Sequence, residues 1–166
     1  VKFFFSEKDV SGKSIKPFSE AKPSVLIFTT YDCPVANKMV PEIRHIANSY
    51  QGRINFLLVY TDPDTSQNEL TTHREDFGLN EITSILDSKH NLVKATGAEI
   101  TPEAVIVKKG KVLYRGRINN FYEDFGKPRR VVTQHDLRDA ITAVLSGKKV
   151  PQPKGECIGC YIPKLK

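Results

Sequence analysis

The sequence predicts an α/β fold in three layers, a mixed central sheet flanked by helices, with an N-terminal hairpin extension and a C-terminal tail. Three observations carry this. Val25-Leu26-Ile27-Phe28-Thr29-Thr30 is a continuous apolar and β-branched run, as a strand covered by helices on both faces requires. A second run of this kind, from Ile54 to Tyr60, belongs to an ordered alternation of strand and helix signals. Ala104 to Val107 and Val112 to Arg115, joined by Lys108-Lys109-Gly110-Lys111, read as a hairpin with a glycine turn.

The remaining elements follow in order. Phe3 to Phe5 and Ser14 to Pro17 flank the turn-rich segment from Lys8 to Gly12, which suits a small hairpin. After the Val25 strand, Pro34 at a first helical position places Cys33 at the cap, because a missing N–H costs nothing there. Ile43, Ile46, Ala47 and Tyr50 continue the helix at helical spacing to Gly52, and Pro41 within it should kink it. Thr61-Asp62-Pro63-Asp64 ends the second strand, and Gln67 to Phe77 reads as a polar surface helix. Thr83 to Leu86 is a short strand, and a helix around Leu92 to Thr96 stops at Gly97. Leu137, Ala140, Ile141, Val144 and Leu145 mark the last helix, with Thr133 and Asp136 as a capping-box-like start and Gly147 as its end. Residues 1–147 therefore form one domain, and residues 148–166 a Pro- and Lys-containing tail with Cys157-Ile158-Gly159-Cys160.

A chain of 166 residues suits one core, and 39% apolar with 27% charged residues is the composition of an ordinary globule. No run is long enough to cross a bilayer as a helix. The net charge of +6 is spread over turns such as Lys127-Pro128-Arg129-Arg130, without zinc-finger spacing or an RNA-recognition signature, so nucleic acid is not an expected partner. Three cysteines, Cys33, Cys157 and Cys160, are too few for a disulfide scaffold, and their odd number points to a reactive thiol.

The residues so far carry a resemblance. Phe4-Phe5 through Asp9 and Gly12, then Lys22-Pro23 before a buried strand ending in Cys33-Pro34, resemble the opening of the redoxin and alkyl-hydroperoxide-reductase-like (AhpC/TSA) branch of thioredoxin-fold proteins. Pro41 stands eight residues after Cys33, Thr101-Pro102 precedes a strand, and Gly110 marks the hairpin that follows, as in thioredoxins. The segments from Asp124-Phe125-Gly126-Lys127 to Cys160-Tyr161-Ile162-Pro163 are similar to the tail of a bacterial redoxin-domain subgroup. The resemblance implies a thioredoxin-like fold, a cis Thr101-Pro102 bond, and a substrate groove formed by Pro34, Thr101 and Pro102.

The chain departs from thioredoxin at Ala36, which stands where the second cysteine of Cys-x-x-Cys would be. What remains is one thiol at a helix start, where unpaired N–H groups favour a thiolate; the like charge of Asp32 opposes this. The expected function is therefore thiol-disulfide oxidoreduction with Cys33 as nucleophile, relayed to Cys157 or Cys160 of the tail. The tail pair has a second reading as a structural clip, with Gly159 giving the flexibility for the two cysteines to approach each other.

Two alternatives stand beside this one. A thiol peroxidase would use Cys33 with Thr30, three residues before it, and with Arg115 or Arg117 supporting the thiolate; Leu26 replaces the leading proline of that motif. A non-catalytic binding or copper-handling module is the other. Asn37 takes the place of the second cysteine used by copper-delivering relatives, and His45, His73, His90 and His135 have no ligand spacing to any cysteine, so no metal residues and no cofactor are assigned. The expected partner is a protein bearing thiols or disulfides, or a small thiol, with no nucleic acid and no membrane insertion. The absence of an initiator Met before Val1, the odd cysteine set and the subgroup resemblance together suggest export to the periplasm or cell envelope.

Overall fold

A computed structural model describes residues 7–16 and 22–166. A hairpin is present, with β1 (Glu7–Lys8) paired antiparallel with β2 (Ser14–Ile15), so that Lys8, expected in the turn, lies in a strand; the expected strand Phe3 to Phe5, and Pro17, lie outside the described residues. The central sheet is built from β3 (Ser24–Thr29), β4 (Asn55–Tyr60), β5 (Thr83–Leu86), β7 (Glu103–Lys108) and β8 (Lys111–Gly116), in the order β5-β4-β3-β7-β8. The first three are parallel and the last two antiparallel, so the sheet is mixed. Every residue of β3 is buried, and its side chains alternate between the faces. Val25 and Ile27 join a core with Ile43 and Ile46 of α2 (Val40–Ser49), Leu70 of α3 (Gln67–Asp76), and Leu137 and Ile141 of α5 (Asp136–Leu145). Leu26 and Phe28 join another with Leu92 of α4 (Asn91–Thr96). This is the predicted three-layer arrangement.

Four local features depart from the sequence expectation or refine it. The kink expected at Pro41 is a break: α1 (Pro34–Lys38) ends at Met39, and Pro41 sits in the first turn of α2. Pro41 has no N–H for the carbonyl four residues back, and its ring clashes there, so starting a new helix is the cheaper solution. The last helix is capped by His135, not by Thr133, and has no side-chain cap bond. Asn120 holds Thr133 instead: its Oδ1 accepts from Thr133 N at 3.0 Å and its Nδ2 donates to Thr133 Oγ1 at 2.7 Å. In the β7-β8 turn both Lys109 (φ 51°) and Gly110 (φ 75°) are left-handed, the geometry whose twist suits a two-residue hairpin. Asp87, 2% exposed, accepts from Leu92 N and Val93 N, which satisfies donors at the start of α4 that His90 does not cap.

Short strands complete the chain: β6 (Ile100–Thr101), β9 (Tyr122–Asp124), β10 (Lys127–Pro128) and β11 (Cys160–Tyr161). The tail does not project. Arg115 N donates to Pro153 O at 2.8 Å and Gly155 N to Arg115 O at 2.9 Å, which lays it along β8. It then crosses to pair β11 antiparallel with β6, Cys160 opposite Thr101 and Tyr161 opposite Ile100. Among the described residues, no helix is long and apolar enough to cross a membrane.

Candidate functional site

Cys33 occupies the cap of α1, as expected, with extended backbone (φ −78°, ψ 112°) and Pro34 following it. Its sulfur accepts from Ala36 N at 3.4 Å, so one orphan donor of the helix start is spent on the thiol. The Thr101-Pro102 bond is cis, and the Thr101 carbonyl lies 3.4 Å from Cys33 Sγ. Thr101 and Pro102 are buried beside the thiol, and Pro34 is exposed next to it. Cys33 itself is only 2% exposed, because the tail covers it.

The cover is Cys160. Its Sγ stands 2.7 Å from Cys33 Sγ, placed there by the pairing of β11 with β6. Burial, then the hydrogen bond to Cys33 and its nearby charge, hold the Cys160 thiol well above its ordinary range. Cys157 does something different. Its thiol donates to the Pro102 carbonyl at 2.9 Å, and burial, reinforced by Glu103, pushes its pKa up despite the opposing charges of Arg115 and Arg117. The two tail cysteines therefore divide: Cys160 meets the candidate nucleophile and Cys157 ties the tail to the proline loop.

Gly159 is needed for a reason other than flexibility. A Cβ added there would run into the Thr101 carbonyl oxygen, so only a residue without a side chain lets the tail lie this close to β6.

The residues considered as thiolate support are engaged elsewhere. Arg115 pairs with Glu103 at 3.2 Å and Glu99 at 3.1 Å, and Arg117 with Asp136 at 3.1 Å. Their carboxylate partners outcompete a sulfur for the guanidinium fork. Thr30 reaches Cys33 through its main chain, its carbonyl accepting from Cys33 N at 3.4 Å and from the Thr29 hydroxyl at 3.3 Å. Arg117 also lines a cleft with Val35, Met39, Pro102, Tyr122 and Ile158, beside the thiol pair. Among the described residues, no three His, Cys, Asp or Glu side chains are grouped to hold a metal ion.

Two supports were not foreseen from the sequence. Glu103, 3% exposed, accepts from Glu99 N at 2.7 Å and Ile100 N at 3.3 Å and so fixes the approach to Thr101-Pro102. A carboxylate opening the apolar run Glu103-Ala104-Val105-Ile106-Val107 was its signal. The second is a partly buried hydrogen-bond chain behind α1. Asn37 Nδ2 donates to Tyr31 O at 3.0 Å, which leaves its Oδ1 to accept from His73 Nε2 at 2.7 Å; His73 Nδ1 then accepts from the Tyr60 hydroxyl at 2.8 Å. This assignment uses neutral His73, and burial lowers its pKa from the ordinary 6.5, with Asp76 and Asp32 opposing. Because the folded value lies below the unfolded one, the stabilisation is complete above pH 6.5 and is lost as pH falls below it towards the folded value. Urea midpoints measured from pH 7.5 down to 5 are expected to fall more steeply for the parent protein than for His73→Gln; parallel profiles would mean that His73 does not carry the loss.

Comparison with known proteins agrees with this architecture. The Redoxin family model matches residues 5–125. No curated protein matches the chain. Among solved structures, an uncharacterized conserved protein from Geobacillus kaustophilus is similar with a TM-score of 0.82 at 23% identity, over 99% of this chain and 91% of that one. A hypothetical protein from Sinorhizobium meliloti 1021 gives 0.78 at 22% identity, over 98% and 93%. A secreted disulfide oxidoreductase of Mycobacterium tuberculosis, homologous to DsbE of E. coli, gives 0.62 at 18% identity, over 85% and 96%. With its family match over most of the sequence and its thioredoxin-like sheet, helices and cis-proline, the chain belongs to the Redoxin family.

Proposed function

We propose that the protein is a thiol-disulfide oxidoreductase in which Cys33 is the nucleophile and Cys160, carried by the tail, is the resolving thiol that the helix lacks at Ala36. The observation that supports this reading is the 2.7 Å approach of the two sulfurs, fixed by backbone pairing of the tail with the residue before the cis-proline. Cys33 thiolate attacks a substrate disulfide; one substrate sulfur leaves as a thiol after taking up a proton, and the other stays bound to Cys33. Cys160 then loses its proton and attacks Cys33 Sγ, forming the Cys33–Cys160 disulfide and releasing the second substrate thiol. Two electrons pass to the substrate, and an external dithiol restores the pair. Burial is the largest cause of the raised Cys160 pKa, followed by the hydrogen bond and charge of Cys33; a mixed disulfide at Cys33 removes these last two when Cys160 must ionise.

An exported setting fits this chemistry, since disulfides persist in oxidising compartments and the fold is shared with a secreted disulfide oxidoreductase. The partner is then a disulfide-bearing protein. The reading is tested by oxidising the protein mildly, alkylating it, and mapping the linked peptides by mass spectrometry. Cys33 joined to Cys160, with Cys157 alkylated only after unfolding, is the expected result. A Cys157–Cys160 bond as the main product would defeat it.

A further inference from the structure

Two side chains cover the thiol. Cys160 and Tyr122 both pack on the small cluster that Cys33 forms with Val35 and Ala36. Tyr122 opens β9, opposite Pro128 of β10, and its half-buried ring stands edge-on to Phe121 with the centroids 5.0 Å apart. It lines a cleft of about 20 Å³ walled by Val35, Met39, Pro102 and Ile158, with room for roughly one water-sized group. Arg117, Asn119 and Tyr122 bring polar groups to this cleft. Arg117 is committed to Asp136 and Gln134, and Asn119 Oδ1 accepts from Phe121 N at 2.9 Å. Cys33 Sγ spends its own hydrogen bonds on Ala36 N, the Thr101 carbonyl and Cys160. Among the described residues, the Tyr122 hydroxyl and Asn119 Nδ2 have no hydrogen-bond partner, which leaves two uncommitted donors beside the sulfurs.

We infer that Tyr122 is a further catalytic residue of the proposed reaction: its hydroxyl, with Asn119 Nδ2 as a second donor, bonds the sulfur that leaves when Cys33 attacks a substrate disulfide. The inference rests on the oxidoreductase reading. With the tail docked and Cys160 in contact with Cys33, the Tyr122 side is the one left for the substrate to enter. Attack on a disulfide runs in line, so the leaving sulfur lies two S–S lengths, about 4 Å, from Cys33 Sγ. Donors that line the neighbouring cleft, and are not bonded to Cys33 itself, serve that position. As the new S–S bond to Cys33 forms, the old one breaks and its electron pair goes to the leaving sulfur. The charge there accepts the two hydrogen bonds, and a proton from water then completes the thiol. Fixed donors aimed at developing charge stabilise the transition state without reorganising. Burial, then the charge of Cys33, raises the Tyr122 pKa above its ordinary value of 10.0, so the hydroxyl keeps its proton across the neutral range.

The test uses the full chain carrying Cys160→Ser, which stops at the mixed disulfide, and follows the mass of the Cys33 adduct with time. Two neutral probes differ in what they expel. Dipyridyl disulfide releases a thiolate stabilised by its own ring, and bis(2-hydroxyethyl) disulfide releases an alkyl thiolate that needs outside help. Adding Tyr122→Phe keeps the ring and removes the hydroxyl. It is expected to slow the hydroxyethyl reaction by about tenfold, as loss of a hydrogen bond to a charged group requires, and the dipyridyl reaction by less than about twofold. Asn119→Asp keeps the acceptor for Phe121 N while replacing the amide donor with a like charge; it should show the same preference, and it stands in if Tyr122→Phe folds poorly. A merely structural loss slows both probes alike. Slowing that is not greater for the hydroxyethyl probe, or no slowing at all, would overturn the role of Tyr122 alone. No adduct at Cys33 with either probe before Tyr122 is changed would instead overturn the oxidoreductase reading beneath it.

Discussion

Replacing Glu103 with alanine should lower the stability of the protein by about 3–5 kcal/mol, the usual consequence of removing one member of a buried ion pair. Glu103 opens β7 at 3% exposure, with one carboxylate oxygen bonded to two backbone N–H groups and the other to Arg115 Nε. Alanine strands all three donors. Glu99, the remaining partner of Arg115, is largely exposed and pairs in a medium where such bridges contribute little. The amides of Glu99 and Ile100 also lose their acceptor, and because Glu99 is exposed and Ile100 half-buried, water takes up part of that loss. Against a typical total of about 5–15 kcal/mol, this is a large share.

Glu103→Gln is the informative control, because it keeps an acceptor and the volume while removing the charge. Its loss should fall between those of the parent and the alanine variant. Both are read from guanidinium denaturation with an unchanged slope, so that a shifted midpoint reports stability. A loss below about 1 kcal/mol for alanine would place the pair among surface bridges and remove Glu103 as the support of the proline loop.

What the sequence made legible and what it did not divide along range. β3 and β4 were readable because burial on both faces leaves an unbroken apolar run, and that signal is local. Cys33 at the cap was readable because Pro34 marks a helix start by itself. The true start of α5 was hidden because Asn120, far from Thr133 in sequence, competes for its backbone. The same holds at the site. Spacing separates Cys157 and Cys160 by three residues but says nothing of which one meets Cys33; that is settled by register against Thr101, 59 residues away. Arg115 and Arg117 were reasonable candidates by charge, and only the fold shows that Glu99, Glu103 and Asp136 claim them. Gly159 was noticed, yet its reason, a carbonyl where a Cβ would sit, belongs to the packed structure.

The other large effect concerns turnover of a protein disulfide with a dithiol reductant. Cys33→Ser should abolish it, and Cys160→Ser should lower it by about a hundredfold or more. In that variant the mixed disulfide waits for an external thiol instead of one held in contact, and intramolecular placement is commonly worth far more than this. The stalled species has a distinct signature, a covalent adduct of Cys160→Ser with its substrate, visible by mass and released by excess dithiol. Cys157→Ser should retain most of the activity, because a serine hydroxyl can still donate to the Pro102 carbonyl and keep the tail in place. The three variants together separate position from composition. All cysteine losses remove one thiol, but in the proposed mechanism only the thiol 2.7 Å from Cys33 resolves the mixed disulfide, so equal damage from Cys157→Ser and Cys160→Ser would send the mechanism back to a relay through both tail cysteines.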